Sequence, residues 1–232
     1  HGETVITLPS VPNVDTYSVG IPVTELSTAY FQGTLTVNTD KGSVTVPSNM
    51  MTGVSGISGN RAQIAIGEGN KNNLPADVKA AIGDRPLIQL TLSIDGKRAD
   101  WSNSNAPVTV SIPYNPTAME LANPESIVVW YIDGIGKVVT IPNGRYDPVT
   151  GMVTFDITHF SNYAVAYNNV SFKDVANKAW YAKAVSFLAA RKITIGIGED
   201  NFGPEVKLTR GQFIVMLMKA YDIAQDANPK VN

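Results

Sequence analysis

The segment Leu87–Ile94 limits the fold more than any other stretch of the chain. It reads Leu-Ile-Gln-Leu-Thr-Leu-Ser-Ile, so Leu90, Leu92 and Ile94 share one face at the two-residue period of a β-strand. Asp95-Gly96 follows directly, the pair favoured in a two-residue hairpin turn. Similar signals recur through residues 1–167 and predict strands at 5–8, 17–23, 34–37, 43–46, 62–66, 108–112, 127–132, 137–141, 152–157 and 161–167. Asn38-Thr39-Asp40-Lys41-Gly42, Asp133-Gly134 and Asp147-Pro148-Val149-Thr150-Gly151 supply turns between them. Short strands broken this often by turn residues predict an antiparallel β-sandwich. Short helices are expected at 75–82, closed by Gly83, and at 116–122.

The pattern changes at Val170. A helix is expected over 179–191, where Trp180, Ala184, Phe187 and Leu188 recur at helical spacing. Thr209 is placed to cap a second helix over 210–223, with Phe213, Met216, Leu217 and Ala220 as its apolar stripe. The fold class is therefore mainly β with a small α part: a sandwich over 1–167, a helical unit over 170–223, and a linker beginning at 224–232. The joint Asn168-Asn169 is short enough to bring the two units into contact.

Composition narrows the functions open to such a chain. Only 16% of residues are charged, where roughly 25% is usual, and the net charge is -2. That balance gives no electrostatic basis for binding nucleic acid or an anionic membrane. The charge is uneven: residues 170–232 hold nine of the 18 Lys/Arg but six of the 20 Asp/Glu. There is no cysteine, which excludes disulfides, thiol catalysis and zinc–thiolate sites. The two histidines, His1 and His159, are too few for a multi-histidine metal site, and no metal or cofactor is expected. No apolar run reaches the ~18 residues of a membrane span. No signal peptide is recognisable, so a secreted chain would have lost it, and the abrupt ends read as those of a fragment.

Residues 172–223 resemble a surface-layer homology repeat. Phe172-Lys173-Asp174-Val175, Trp180-Tyr181, Ala184-Val185 and Leu188 match its first half. Ile193, Gly196-Ile197-Gly198, Phe202 and Pro204 match its central loop, and Leu208-Thr209-Arg210-Gly211-Gln212-Phe213 stands where the family carries Thr-Arg-Ala-Glu. Lys192 and Asp200 each replace a usual glycine, and Gln212 lacks the family's carboxylate. The resemblance implies a bacterial cell-surface module, in which three repeats pack together and bind secondary cell-wall polysaccharide. Arg210, Thr209, Trp180, Gly196 and Gly198 would be the binding residues here. Only one repeat is complete, so Phe213, Met216 and Leu217 are expected to pack on the β domain or on another copy.

Thr158-His159-Phe160-Ser161-Asn162-Tyr163-Ala164-Val165 resembles the self-cleaving segment of GAIN-type and ankyrin- or netrin-receptor-type β domains. The resemblance implies catalytic roles for His159, Phe160 and Ser161. His159 would take the Ser161 hydroxyl proton, and the oxygen would attack the Phe160 carbonyl. The plain alternative is a strand end with Phe160 in the core.

Other motifs carry less. Gly67-Glu68-Gly69-Asn70 and Gly134-Ile135-Gly136-Lys137 precede no helix and read as turns, not phosphate cradles. Asp95, Asp100, Asp133 and Asp147 all lie at turns. Neither Asp147 nor Asp200 sits in a calcium loop. Trp101, Trp130 and Tyr131 are candidates for a sugar-stacking platform, with Trp130 more suited to the core and Trp101 to the surface. The reading that follows is a non-catalytic module attaching an upstream enzyme or adhesin to the wall. Its alternatives are a self-cleaving β domain and a carbohydrate-binding accessory module of a secreted glycoside hydrolase.

Overall fold

The computed structural model describes residues 2–224. Two sheets form a sandwich. One has the order β1 (Gly2–Thr7), β3 (Gly33–Thr39), β4 (Gly42–Pro47), β8 (Val108–Pro113), β12 (Met152–Ile157), β11 (Arg145–Asp147). The other has the order β10 (Val138–Ile141), β9 (Ile127–Ile132), β13 (Asn162–Tyr167), β6 (Leu87–Ile94), β5 (Arg61–Glu68), β2 (Thr16–Pro22), with the short β7 (Lys97–Ala99) also on β6.

The alternation seen in the sequence builds the layer between the sheets. Val110, Ile112, Val153 and Phe155 face Ile64, Leu90, Leu92, Tyr163 and Val165 in one continuous core. Ile94 pairs with Lys97 across the Asp95-Gly96 turn, and both turn residues have positive φ, as a type I′ hairpin demands. The Asp95 carboxylate also accepts the Asn60 and Arg61 amides, which ties this turn to β5.

One pairing departs from the expected antiparallel sandwich. β1 runs parallel to β3. The chain leaves β1, crosses to the other sheet as β2, and returns beside β1 as β3, so the two point the same way. Gly33 permits this close approach, since a methyl group there would collide with the Gly2 carbonyl oxygen.

β9, Ile-Val-Val-Trp-Tyr-Ile, is apolar on both faces. Ile127 and Val129 join the inner core, while Val128, Trp130 and Ile132 point out of the sandwich. Two helices cover that outer face. α1 (Ala76–Ile82) lays Val78 and Ile82 against Ile132 and Ala164, and α3 (Ala182–Ala190) lays Ala190 against Val128 and Ala166. A strand that is apolar on both sides needs a cover on both sides, and here it has one.

The buried face of α3 is not the expected one. Trp180 precedes the helix and is 93% exposed, and Ala184 is exposed as well. Val185, Ala189 and Ala190 are buried instead. Small side chains let this helix approach the sheet closely, and that outweighs the pull of the larger Trp180 and Phe187.

α2 (Ala118–Ala122) is held by a fully buried carboxylate, Glu120. It accepts from Arg85 Nε at 2.7 Å, from the Tyr114 hydroxyl at 2.9 Å and from the Thr117 amide at 2.7 Å. Burial alone would raise its pKa. The Thr117 amide, Arg85 and Tyr114 together outweigh burial and hold it below the ordinary 4.5. This group's contribution is therefore present above that value and lost as pH falls through the folded pKa. Glu120→Ala should cost about 3 kcal/mol at pH 7, because it strands Arg85 and Tyr114. Glu120→Gln should flatten the fall in stability below pH 4.5 relative to the parent chain. Urea titrations across pH 3–7 measure both.

Candidate functional site

The helical segment begins where Asn168 ties the two units together. Its amide donates to the Ser126 carbonyl at 2.9 Å, and its side-chain Nδ2 to the Ala190 carbonyl at 2.7 Å. α3 ends in a Schellman arrangement: the Lys192 amide bonds the Ala189 carbonyl, and the Ile193 amide bonds the Leu188 carbonyl. This closure requires a left-handed residue at position 192, and Lys192 adopts it with φ 58°. Asp200, the second residue standing for a usual glycine, also has positive φ at 60°. Both departures noted in the sequence thus occupy backbone conformations that favour glycine.

Arg191, just before that left-handed residue, is the least expected feature of the segment. It is 4% exposed, and among the described residues no carboxylate is in hydrogen-bond contact with it. Its nitrogens donate to the carbonyls of Gly144, Glu125, Ile127 and Phe187, and its plane lies 3.5 Å from the Phe187 ring centre. Three of those four carbonyls belong to the β-sandwich side. Burial pushes this guanidinium down to about 10, with Glu125 opposing through its charge, and at neutral pH it remains protonated.

The loop from 193 to 209 is built around Asp174. Its carboxylate accepts the Phe202 and Gly203 amides, each at 2.8 Å, and those bonds hold its pKa below the ordinary range. The Phe172 and Phe202 rings pack with centres 5.7 Å apart. At Gly196, with φ 74°, a methyl group would collide with the Asn201 carbonyl oxygen. Gly198 has φ 107° and open space around it.

α4 (Arg210–Ala220) opens with a complete capping box. Thr209 Oγ1 accepts the Gln212 amide at 3.2 Å, and Gln212 Oε1 accepts the Thr209 amide at 2.9 Å. The neutral Gln212 oxygen therefore makes a reciprocal cap without a carboxylate. Arg210 is exposed in the first turn. Phe213 and Leu217 are 55% and 44% exposed, and Met216 is half-buried. Among the described residues the expected burial of this stripe on the β domain is not found, since no residue of α4 is fully buried. The linker expected at 224–232 lies, apart from Ala224, outside the described residues, as does His1.

Trp180 meets Tyr181 edge-on, with ring centres 5.5 Å apart. No hydrogen bond, ion pair or ring contact among the described residues joins Trp180, Arg210 and the Gly196–Gly198 loop.

At the His-Phe-Ser turn, His159 packs against the Tyr131 ring at 4.5 Å. Its Nε2 is buried with no hydrogen-bond partner among the described residues, and burial holds the imidazole below its ordinary 6.5, with Asp222 pulling the other way. The Ser161 hydroxyl donates to the Ile132 carbonyl at 3.4 Å, and no hydrogen bond among the described residues joins it to His159. Phe160 covers Trp101 at 4.9 Å, so Trp101 is buried, and its indole N–H donates to the Met50 carbonyl at 2.7 Å. The expected surface position for Trp101 is thus corrected, and Trp130 lies under α1 and α3. Among the described residues no group of acidic, histidine or cysteine side chains could hold a metal, and no helix is long and apolar enough to cross a membrane.

Comparison with known proteins finds relatives among cell-surface proteins. Residues 171–214 match the model of the S-layer homology domain. The chain is 26% identical to an amylopullulanase of Thermoanaerobacterium thermosulfurigenes over 162 residues, 68% of this chain and 9% of that protein. It is 32% identical to an S-layer protein of Bacillus licheniformis over 100 residues, 41% of this chain and 11% of that protein. It is 30% identical to S-layer protein EA1 of Bacillus anthracis over 103 residues, 42% of this chain and 12% of that protein. The chain therefore spans about a tenth of these relatives. Only the last quarter of the chain follows Val170, so the longest match reaches well into the β-sandwich. The domain match and the S-layer relatives place the chain in a secreted protein attached at the cell surface.

The left-handed lysine offers a direct check of the helix closure. Lys192 makes no side-chain hydrogen bond or ion pair among the described residues, so Lys192→Gly removes only the backbone conflict. The variant should be more stable by about 0.5–1 kcal/mol, the left-handed penalty less the extra freedom of glycine when unfolded. Thermal unfolding followed by circular dichroism at 222 nm reads the shift.

Proposed function

We propose that this chain is a non-catalytic anchoring piece of a larger secreted protein, in which residues 170–223 bind secondary cell-wall polysaccharide and the β-sandwich holds the remainder away from the wall. The observation that carries this reading is the S-layer homology match at 171–214, which covers α3, the Asp174-centred loop and the start of α4. The relatives of this chain include an amylopullulanase and two S-layer proteins, and an upstream enzyme or adhesin is the corresponding cargo here. Exposed Trp180 offers a ring face for a sugar, and exposed Arg210 offers a forked donor for an acidic substituent. Thr209, Gly196 and Gly198 shape the backbone that presents them.

A second reading rests on one observation at the sandwich edge. The buried Nε2 of His159, which has no hydrogen-bond partner among the described residues, is a neutral base two residues from Ser161. In self-cleavage it takes the Ser161 hydroxyl proton while Oγ attacks the Phe160 carbonyl carbon. The Phe160–Ser161 C–N bond then breaks, the Ser161 nitrogen receives the proton, and water hydrolyses the resulting ester.

Co-sedimentation with Gram-positive sacculi tests anchoring. The chain should pellet with sacculi that retain polysaccharide and stay in solution with stripped ones. Arg210→Ala and Trp180→Ala should each weaken binding roughly tenfold, about 1.4 kcal/mol. A chain that never pellets removes the anchoring reading. Intact-mass measurement over several days separates the second reading: two fragments divided at Phe160–Ser161 support it, and one undivided mass ends it.

A further inference from the structure

We infer that a cleft between the β-sandwich and the helical segment is a polysaccharide subsite, distinct from the Arg210 and Trp180 faces. The inference rests on the anchoring reading and specifies where the chain grips the glycan. The cleft, about 480 Å³, opens between the turn after α2 and the first turns of α3. That volume falls within the range of small-ligand sites.

Its walls carry polar groups that the protein leaves open. Asn177, Lys183 and Ser186 line it, and their side chains make no hydrogen bond or ion pair among the described residues. Asn123 is fixed on the opposite wall: its Nδ2 donates to Ser126 Oγ at 2.8 Å and to Asn169 Oδ1 at 2.9 Å. Asn123 Oδ1 and Asn169 Nδ2 make no hydrogen bond among the described residues, so an acceptor and a donor on this wall remain open to a ligand. Beneath them lie Phe172, Val175 and Val185.

Neutral amides and a hydroxyl above an apolar floor suit a ligand that has hydroxyl groups on its rim and C–H groups on its face. A sugar ring has that form. Lys183 adds a cation for an acidic substituent, while Glu125 on the same cleft disfavours a densely anionic polymer. The fit is therefore to a polysaccharide with sparse acidic groups.

The cleft is also pre-formed. Arg191 bonds Glu125, Ile127 and Gly144 from the end of α3, and Asn168 bonds Ser126 and Ala190. Its two walls are thus joined at the base, and binding need not spend free energy assembling them.

The test uses the chain 1–232 with two probes. Soluble polysaccharide fragments released from sacculi are titrated into 15N-labelled protein, and intact sacculi are used for affinity. Side-chain amide signals of Asn123, Asn169 and Asn177 should shift on titration. Ser186→Trp, which fills the cleft, and the surface pair Asn177→Ala/Lys183→Ala should each reduce sacculus binding at least tenfold, with circular dichroism melts confirming the fold. The pair is exposed, so it keeps the test valid if the tryptophan variant fails to fold. If the parent binds and both variants bind equally, with shifts confined to residues 202–221, the cleft is overturned while anchoring stands. Binding that survives polysaccharide removal also overturns it, since the partner is then peptidoglycan itself. A parent chain that binds no sacculi overturns the anchoring reading and the cleft with it.

Discussion

The arrangement of the whole chain depends on one buried guanidinium. Removing Arg191 from water is costly, and a buried charge persists only where its donors are met. Here they are met by main-chain carbonyls, not by a carboxylate. Carbonyls at Glu125, Ile127 and Gly144 are fixed by the strands and turns around β9, so the guanidinium reads a rigid surface. The Phe187 ring at 3.5 Å closes its remaining face. Once Arg191 is seated, Ala189 and Ala190 are pressed onto the sheet, and Val128 and Ala166 lose their exposure to water. The outer face of β9 and the direction of the helical segment are settled by the same contact.

α4 is stabilised in a different way. Eleven residues make a marginal helix in water, and none of those in α4 is fully buried. Local closure compensates at both ends: the Thr209–Gln212 box at the start, and a second Schellman arrangement at the end. There Asp222 takes φ 53°, and the Ile223 amide reaches the Met218 carbonyl at 2.8 Å. Phe213, Ile214, Val215 and Leu217 stay largely exposed. α3 is thus held by tertiary contacts and α4 chiefly by its caps, within one segment.

Much of the sandwich was legible because its signals are local. The alternation in Leu87–Ile94, the Asp95-Gly96 turn and the Thr209 cap each depend on residues a few positions apart, and each lies where the sequence predicts. What was not legible depends on distant partners. The parallel direction of β1 follows from a crossover, which no short pattern encodes. Trp101 looked like a surface residue beside a loop, but Phe160 and the Met50 carbonyl, far off in sequence, bury it. The stripe through Trp180 and Phe187 marked α3 as a helix but gave the wrong buried face, because Arg191 and two alanines select the other one. Arg191 itself carried no signal; a lone arginine after Ala-Ala reads as a solvated helix end. The one hint was β9, whose apolar residues on both faces require a cover that the sandwich alone does not supply.

The helical segment and the sandwich are consequently joined by buried hydrogen bonds as well as by the chain itself. A tethered cargo pulls on an anchor through whatever connects them, and a flexible linker would let the two reorient freely. Here the connection is Asn168-Asn169, backed by Arg191 and by the α3 contact with β9, so a pull on the sandwich reaches α3 through buried hydrogen bonds. The same contacts fix Asn123 and Asn169 opposite Lys183 and Ser186 across the interunit cleft. Stiffness of the joint and shape of the cleft are one property of the fold, and a change that loosens Arg191 alters both together.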